Sequence, residues 1–214
     1  MTEESSASRL ARYRDAWQAA TADLTAASCP SVDRLEPIWA WRDFFAQTSI
    51  RDPQLVAEMV RSGIVDRSYQ DGELAARLRE RLHAVDDEAA LERALRQFRQ
   101  CEMMRIVWRD LNGTAALDET LEDLSEMADV SIRQALDLIY RWAAEKWGTP
   151  RDAAGREQRL IVLGMGKLGA RELNLSSDID LIFCYPSRGQ TDGRRGLDNE
   201  QFFTRVGRQL LAML

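Results

Sequence analysis

Apolar side chains recur every three to four residues from the start of the chain to about Trp147, then gather into two short continuous runs near residues 160 and 180. The first pattern is that of helices with one buried face, the second that of strands. Residues 1–5 are expected to fray. Ser6 or Ser8 is placed to cap a first helix, whose Leu10, Tyr13, Trp17 and Leu24 share a face, and Cys29-Pro30-Ser31 breaks it. A second helix is predicted over 33–47, its Leu35, Ile38, Trp39, Trp41, Phe44 and Phe45 reading as core. Asp52-Pro53 opens a short helix by N-cap and first-position rules, and Gly63 ends it. Asp71-Gly72 opens a charged helix to about Ala84. Asp86 or Asp87 then caps the longest early signal, with Leu91, Leu95, Phe98, Met103, Ile106, Val107 and Leu111 in step and Asn112-Gly113 closing it. Its Arg93, Arg96, Arg99, Arg105 and Arg109 read as a solvated face with pairs such as Glu92–Arg96, the alternative being phosphate-holding groups on a cleft. More helix runs from about Leu117 to Trp147, in one piece or in two meeting near Asp129, and Gly148-Thr149-Pro150 terminates it. The polar stretch 149–158 reads as a loop and a boundary. It separates a helical region, 1–155, from a second region, 156–214.

The second region is denser in chemistry. Leu160–Leu163 reads as a buried strand, followed by Gly164, Gly166 and Gly169, then Ser176-Ser177, then Asp178-Ile179-Asp180 opening a second apolar run that Pro186 ends. Glycines at that spacing let the backbone turn tightly and approach a ligand closely. On a strand, residues two apart share a face, so Asp178 and Asp180 point the same way with Cα atoms roughly 7 Å apart. Two carboxylates on one face repel, and a divalent cation resolves the conflict. Mg²⁺ suits such oxygen donors together with substrate phosphates. Gly164-Met165-Gly166-Lys167-Leu168-Gly169 also matches the dinucleotide-binding G-x-G-x-x-G, but Asp178 follows only nine residues after Gly169 and at the near end of its strand, too soon for a crossover helix. No Gly-Lys-Ser/Thr closes a P-loop. After Pro186, residues 187–196 read as a flexible surface loop, and Asp198 caps a helix bearing Phe202, Phe203, Val206, Leu210, Leu211 and Leu214. The chain stops inside that apolar pattern, so a truncated core is expected.

Composition narrows the field. A net charge of −6 argues against a nucleic-acid partner, which needs a basic surface. Cys29, Cys101 and Cys184 are scattered and odd in number, and read as buried reduced thiols. His83 is the single histidine and lies in an arginine-rich helix, which leaves out histidine-based nucleophilic catalysis and the usual zinc sites. The opening residues lack the apolar core of a signal peptide and no run approaches a membrane span, so a cytoplasmic protein without membrane partners is expected.

The stretch GMGKLGARELNLSSDIDLIFCYP, residues 164–186, resembles the signature of the bifunctional glutamine synthetase adenylyltransferase/adenylyl-removing enzymes. The shared residues are Gly164, Gly166, Lys167, Leu168, Gly169, Glu172, Leu173, Ser176, Ser177, Asp178, Asp180 and Leu181; Ala170 stands where the family usually has Gly. FRQCEMMRIVWRDLNG, 98–113, looks like the family's long helix, and Arg171-Glu172-Leu173-Asn174 resembles the amino-terminal, adenylyl-removing half. The resemblance implies an α+β, mostly α protein: a helical amino-terminal region followed by the start of a polymerase-β-like nucleotidyltransferase core. It implies Asp178 and Asp180 as catalytic metal ligands for Mg²⁺, with Mn²⁺ the other option. Gly164, Gly166, Lys167, Gly169, Ser176 and Ser177 would bind nucleotide or phosphate. Arg171 reads as a group that pairs with phosphate or, preferred, as a structural partner of Glu172. The implied reaction is phosphorolytic removal of AMP from an adenylylated tyrosine of glutamine synthetase, releasing ADP, under control of a PII signalling protein. The alternatives are adenylyl transfer from ATP to that tyrosine, or a non-catalytic helical interaction module. Enzymes of this fold use a third carboxylate on a later strand. Asp192, Asp198 and Glu200 fall in a loop or at a helix start, so residues 1–214 are expected to carry half a metal site and little activity alone.

Overall fold

A computed structural model describes residues 5–24 and 29–214. The expectation for residues 1–4 lies outside them. Among the described residues the chain is mostly helical, with two small antiparallel sheets, an α+β protein in which α dominates. It divides into two compact units: Met1–Gln70 with Gln100–Thr120, and Asp71–Arg99 with Leu121–Leu214.

The first unit contains α1 (Ser6–Ala20), α2 (Val32–Trp41), α3 (Asp43–Arg51), α4 (Pro53–Arg61) and the later part of α6 (Glu88–Leu111). The cap of α1 is Ser5, not Ser6 or Ser8: its hydroxyl accepts from the Ser8 amide at 3.2 Å. The helix expected over 33–47 is two helices. Arg42, at φ −136° and ψ 91°, leaves the helical region and serves as last cap of one and first cap of the next. The break re-aims the chain, so that Leu35, Ile38 and Trp39 of α2 and Phe45 and Ala46 of α3 are all buried. Trp41 and Phe44, expected in the core, fall on the outer side, Trp41 being 77% exposed. Trp39 is edge-on to Tyr13 and Trp17 and donates its indole N–H to Ser49 Oγ at 3.2 Å. Asp52 caps α4 as expected, accepting from the Leu55 amide.

The arginine stripe of α6 is only partly solvated. Arg93, Arg96 and Arg99 are exposed, and Glu92 pairs with Arg96 at 3.5 Å. Arg105 and Arg109 are buried, at 0% and 2% exposure. Helical spacing turns 105 and 109 onto the same side as Cys101 and Glu102, so the cations enter the core with partners. Arg105 Nε donates to Glu102 Oε2 at 3.1 Å and its guanidinium lies 3.7 Å from the Tyr69 ring centroid. Arg109 donates to Glu119, the Thr114 carbonyl and Ser68.

The second unit holds α5 (Glu73–Leu82), the start of α6, most of α7 (Leu117–Trp147), all the strands, and two later helices. Asp87 is the cap of α6, accepting from the Ala90 amide. α7 runs unbroken past Asp129; it contains neither Gly nor Pro, and Ser125 and Ser131 return their hydroxyls to the carbonyls of Leu121 and Met127. The two polar stretches read as loops contain paired strands. β1 (Pro150–Asp152) and β4 (Gly189–Thr191) run antiparallel, Arg151 opposite Gln190. β2 (Ile161–Gly164) pairs antiparallel with β3 (Leu181–Cys184), Val162 opposite Phe183 and Leu163 opposite Ile182. Asp198 caps α9 (Asn199–Met213), accepting from the Gln201 amide. α9 covers one face of the β2–β3 pair, Tyr185 stacking on Phe203 at 4.9 Å and Phe183 lying against Gly207. Burial and the neighbouring Glu157 push the Tyr140 phenol above its ordinary range; its hydroxyl meets both Glu157 Oε1 and the Gln158 carbonyl at 3.0 Å.

Candidate active site

The glycine turn and the aspartate pair are brought together by the β2–β3 ladder. β2 leads through Met165 into α8, a single turn over Gly166–Gly169. The ladder continues one step beyond the strands, the Met165 amide donating to the Asp180 carbonyl at 2.9 Å. Asp180 therefore sits directly across from the entrance to the glycine turn. Gly166 adopts φ +54°, a backbone state that disfavours a side chain. A Cβ built there would meet only Asp180 Oδ2, at 3.9 Å, so the space between turn and carboxylate is open. Gly169 has a different reason to be glycine: a Cβ there would strike the Gly164 carbonyl at 2.6 Å. The turn is thus packed against the end of β2 by Gly164 and Gly169 and open at Gly166.

Asp178 and Asp180 precede β3, which begins at Leu181, rather than lying within it. Exposure nonetheless alternates from Leu173 to Gln190, so the two carboxylates share the outer side with Ile182 and Cys184. Both are exposed, and neither side chain makes a hydrogen bond or ion pair among the described residues. Among the described residues nothing buries the side opposite α9: Ile161, Leu163, Met165 and Ile182 are exposed, Leu163 at 47%. The buried strand expected at 160–163 is therefore covered on one face only, because the helix packs on one side of a two-stranded sheet. Cys184, expected buried, is exposed for the same reason.

Lys167 is exposed on α8. Ser176 and Ser177 belong to a turn organised by Asn174, whose Oδ1 accepts from the Ser176 amide at 3.0 Å and from the Ser177 hydroxyl at 2.9 Å. Arg171 does not pair with Glu172. At φ 58°, a left-handed state unusual for a side-chain-bearing residue, it reaches to α7, where Nε engages Glu122, Nη2 engages Glu122 and Glu126, and Nη1 engages Asp129 at 3.0 Å. These acids lie at positions i, i+4 and i+7 of α7, one face of the helix. That spacing was present in the sequence without indicating its partner. The hydrogen bond from Arg171 holds the Glu122 carboxyl below its ordinary range against the opposing effect of burial. Two residues on, the Leu173 amide donates to Ser125 Oγ at 3.3 Å, a second tie to the same helix. The segment leading to the aspartates is anchored at both points.

The donor set fits a hard divalent cation in part: two free carboxylates, with Asp180 beside an open turn. Among the described residues no group of three or more His, Cys, Asp or Glu side chains is placed to hold a metal ion. No helix of the described residues is long and apolar enough to cross a membrane.

Comparison with known proteins decides the family. The family model of glutamate-ammonia ligase adenylyltransferase matches residues 32–214. The chain belongs to this adenylyltransferase family. Curated members similar to it are named bifunctional glutamine synthetase adenylyltransferase/adenylyl-removing enzymes. The one from Thioalkalivibrio sulfidiphilus is 52% identical over 85% of this chain and 19% of its own length. That from Nitrosococcus oceani is 42% identical over 96% of the chain and 21% of its own length. That from Pseudomonas aeruginosa is 45% identical over 95% and 22%. The chain therefore spans about a fifth of the length of these adenylyltransferase relatives.

Proposed function

We propose that this chain supplies part of a polymerase-β-like nucleotidyltransferase site that removes AMP from an adenylylated tyrosine of glutamine synthetase. The observation that carries the reading is the unpartnered Asp180 carboxylate set across from the open side of the Gly166 turn, with the unpartnered Asp178 exposed two residues before it. The relatives' names, which pair transfer with removal, support the substrate. The resemblance of residues 171–174 to the amino-terminal half supports the direction.

In this reading an oxygen of inorganic phosphate attacks the phosphorus of the adenylyl group. The bond from phosphorus to the tyrosine oxygen breaks, ADP forms, and the phenolate takes up a proton. Phosphate is already anionic near neutrality, so no histidine base is required. A phenol, with a pKa of about 10, leaves far more readily than an aliphatic alcohol. Asp178 and Asp180 would hold Mg²⁺, or Mn²⁺, which supplies charge neutralisation on the phosphoryl oxygens. The open backbone at Gly166, with Lys167 and the Ser176–Ser177 turn, would hold phosphate, as peptide N–H groups in tight turns do. Control by a PII signalling protein and a cytoplasmic setting belong to the same proposal and rest on the resemblance.

The test is ADP release from adenylylated glutamine synthetase in the presence of Mg²⁺ and phosphate. It is run on this chain and on a full-length relative carrying the matching substitutions. Asp178→Asn or Asp180→Asn in the relative is expected to lower turnover on the order of 100-fold or more, since several kcal/mol of charge stabilisation are lost. Unchanged metal-dependent turnover in both variants would sink the site. Loss of AMP transfer from ATP with intact ADP release in either variant would redirect it to the transferase reaction.

A further inference from the structure

The second unit carries a groove of about 420 Å³ between α5 and α7 that shares no residue with the 159–186 segment. Its polar lining is Arg79 and His83 on one wall and Arg133, Gln134, Asp137 and Arg141 on the other, above an aliphatic floor. Residues four apart lie on one helix face, so Arg79 and His83 form one row and Arg133, Asp137 and Arg141 a facing row. The walls are tied together by Gln134, whose Nε2 donates to the Ala75 carbonyl at 2.7 Å.

The charge balance here is unlike that of the chain around it. The chain has 35 acidic and 29 basic side chains, and its buried arginines, Arg105 and Arg109, are each paired with a carboxylate. Arg79, Arg133 and Arg141 are exposed and make no hydrogen bond or ion pair among the described residues, and one carboxylate, Asp137, shares the groove lining with them. The groove thus holds an excess of two positive charges in a protein whose net charge is −6. Like charges gathered in a concave surface repel one another until an anion joins them.

The spacing limits which anion. Arg133 and Arg141 are eight residues apart, about 12 Å along the helix. A single phosphate or carboxylate engages one guanidinium fork well but does not span two so placed. A chain of linked phosphoryl groups does, and it carries enough charge to satisfy three cations. Asp137, midway between the arginines of α7, then accepts from a donor on the ligand, such as a hydroxyl, instead of meeting phosphate. The groove volume lies within the roughly 300–1,000 Å³ range of small-molecule sites. We propose that this α5–α7 groove binds a ligand bearing linked phosphoryl groups, a nucleoside polyphosphate or a bare polyphosphate, at a position separate from the candidate active site.

The experiment is isothermal titration of the chain with inorganic tripolyphosphate in EDTA, where Asp178 and Asp180 have no cation through which to attract phosphate. Pyrophosphate, ATP and glutarate are run in parallel. One tripolyphosphate is expected to bind per chain, with affinity falling as salt rises. The Arg133→Ala, Arg141→Ala double variant is expected to weaken binding at least 10-fold at unchanged melting temperature. Asp137→Asn is expected to tighten it several-fold, a gain that a misfolded protein does not show. Tighter binding of ATP than of tripolyphosphate assigns the groove to nucleotides; equal affinity assigns it to the phosphoryl chain alone. No binding at millimolar tripolyphosphate, equal binding of glutarate, or binding indifferent to the arginine and Asp137 substitutions would overturn the proposal.

Discussion

Arg171 shows how a single side chain sets the candidate site. Its left-handed backbone costs on the order of 1 kcal/mol for a residue with a Cβ. The three carboxylates of α7 offset that cost and fix where the chain turns back toward Asp178 and Asp180. Because Arg171 is more than a third exposed, solvent screening limits the network to about 1 kcal/mol despite its geometry. Arg171→Ala is expected to lower the melting temperature at neutral pH by about 2–4 °C, as a change of that size does in a chain of this length. Arg171→Gly removes the same pairs but relieves the backbone, and should melt above Arg171→Ala. The acid limb gives the sign. The Glu122 carboxyl is lowered in the folded protein, so its contribution is present above the ordinary glutamate value of about 4.3 and is lost as pH falls through the folded value. The gap between wild type and Arg171→Ala should therefore narrow in melts taken at successively lower pH below about 4.3. A gap that persists there would assign the loss to packing rather than to the carboxylates.

Elements differ in how plainly they could be read. Helices with a side-chain cap and a one-sided apolar stripe were legible: Asp52, Asp87 and Asp198 all accept from amides three residues on. The strand, glycine turn and strand of β2, α8 and β3 were legible too, since a change from helical spacing to continuous apolar runs is a local signal. The division at Arg42 was not, because α2 and α3 separately satisfy the same helical period and only tertiary packing distinguishes one helix from two. β1 and β4 were invisible for another reason. They are three residues long, largely polar, and paired across a long sequence separation, and their order comes from partners such as Asp192, which accepts from the Thr149 amide and from Arg151 Nε. Gly189 is the residue that permits the pairing: a Cβ there would lie 1.8 Å from the Arg151 carbonyl. Gly189→Ala is expected to part the two strands and to cost about 1–3 kcal/mol, the range for forcing an extra carbon into a packed site. Amide exchange at Arg151 and Thr191 would report it. Retained protection at both would show that the backbone yields without losing the ladder.

At the scale of the whole molecule, the hydrophobic pattern located the candidate site but misjudged what holds the first unit together. Arg105 and Arg109 have the composition of a solvated stripe and the position of core residues. An amphipathic reading of one helix cannot find the acids, rings and hydroxyls that other segments bring to them. Burial makes these cations consequential. Glu102, the partner of Arg105, is itself 1% exposed and also accepts from the Tyr69 hydroxyl, so Arg105→Ala takes the cation away from a buried carboxylate, a loss of about 3–5 kcal/mol. The replacement of both by apolar residues of similar volume, Glu102→Leu with Arg105→Met, removes the stranded charge and should recover most of that loss. Hydrogen exchange followed by peptide mass analysis separates local from global effects. If each compact unit opens cooperatively by itself, Arg105→Ala should strip protection from segments within 32–70 and 100–120 while the peptides covering α9 and the β2–β3 pair keep theirs. Equal loss in both sets would mean that the chain unfolds as one, and that the buried arginines of the first unit stabilise the aspartate turn as well.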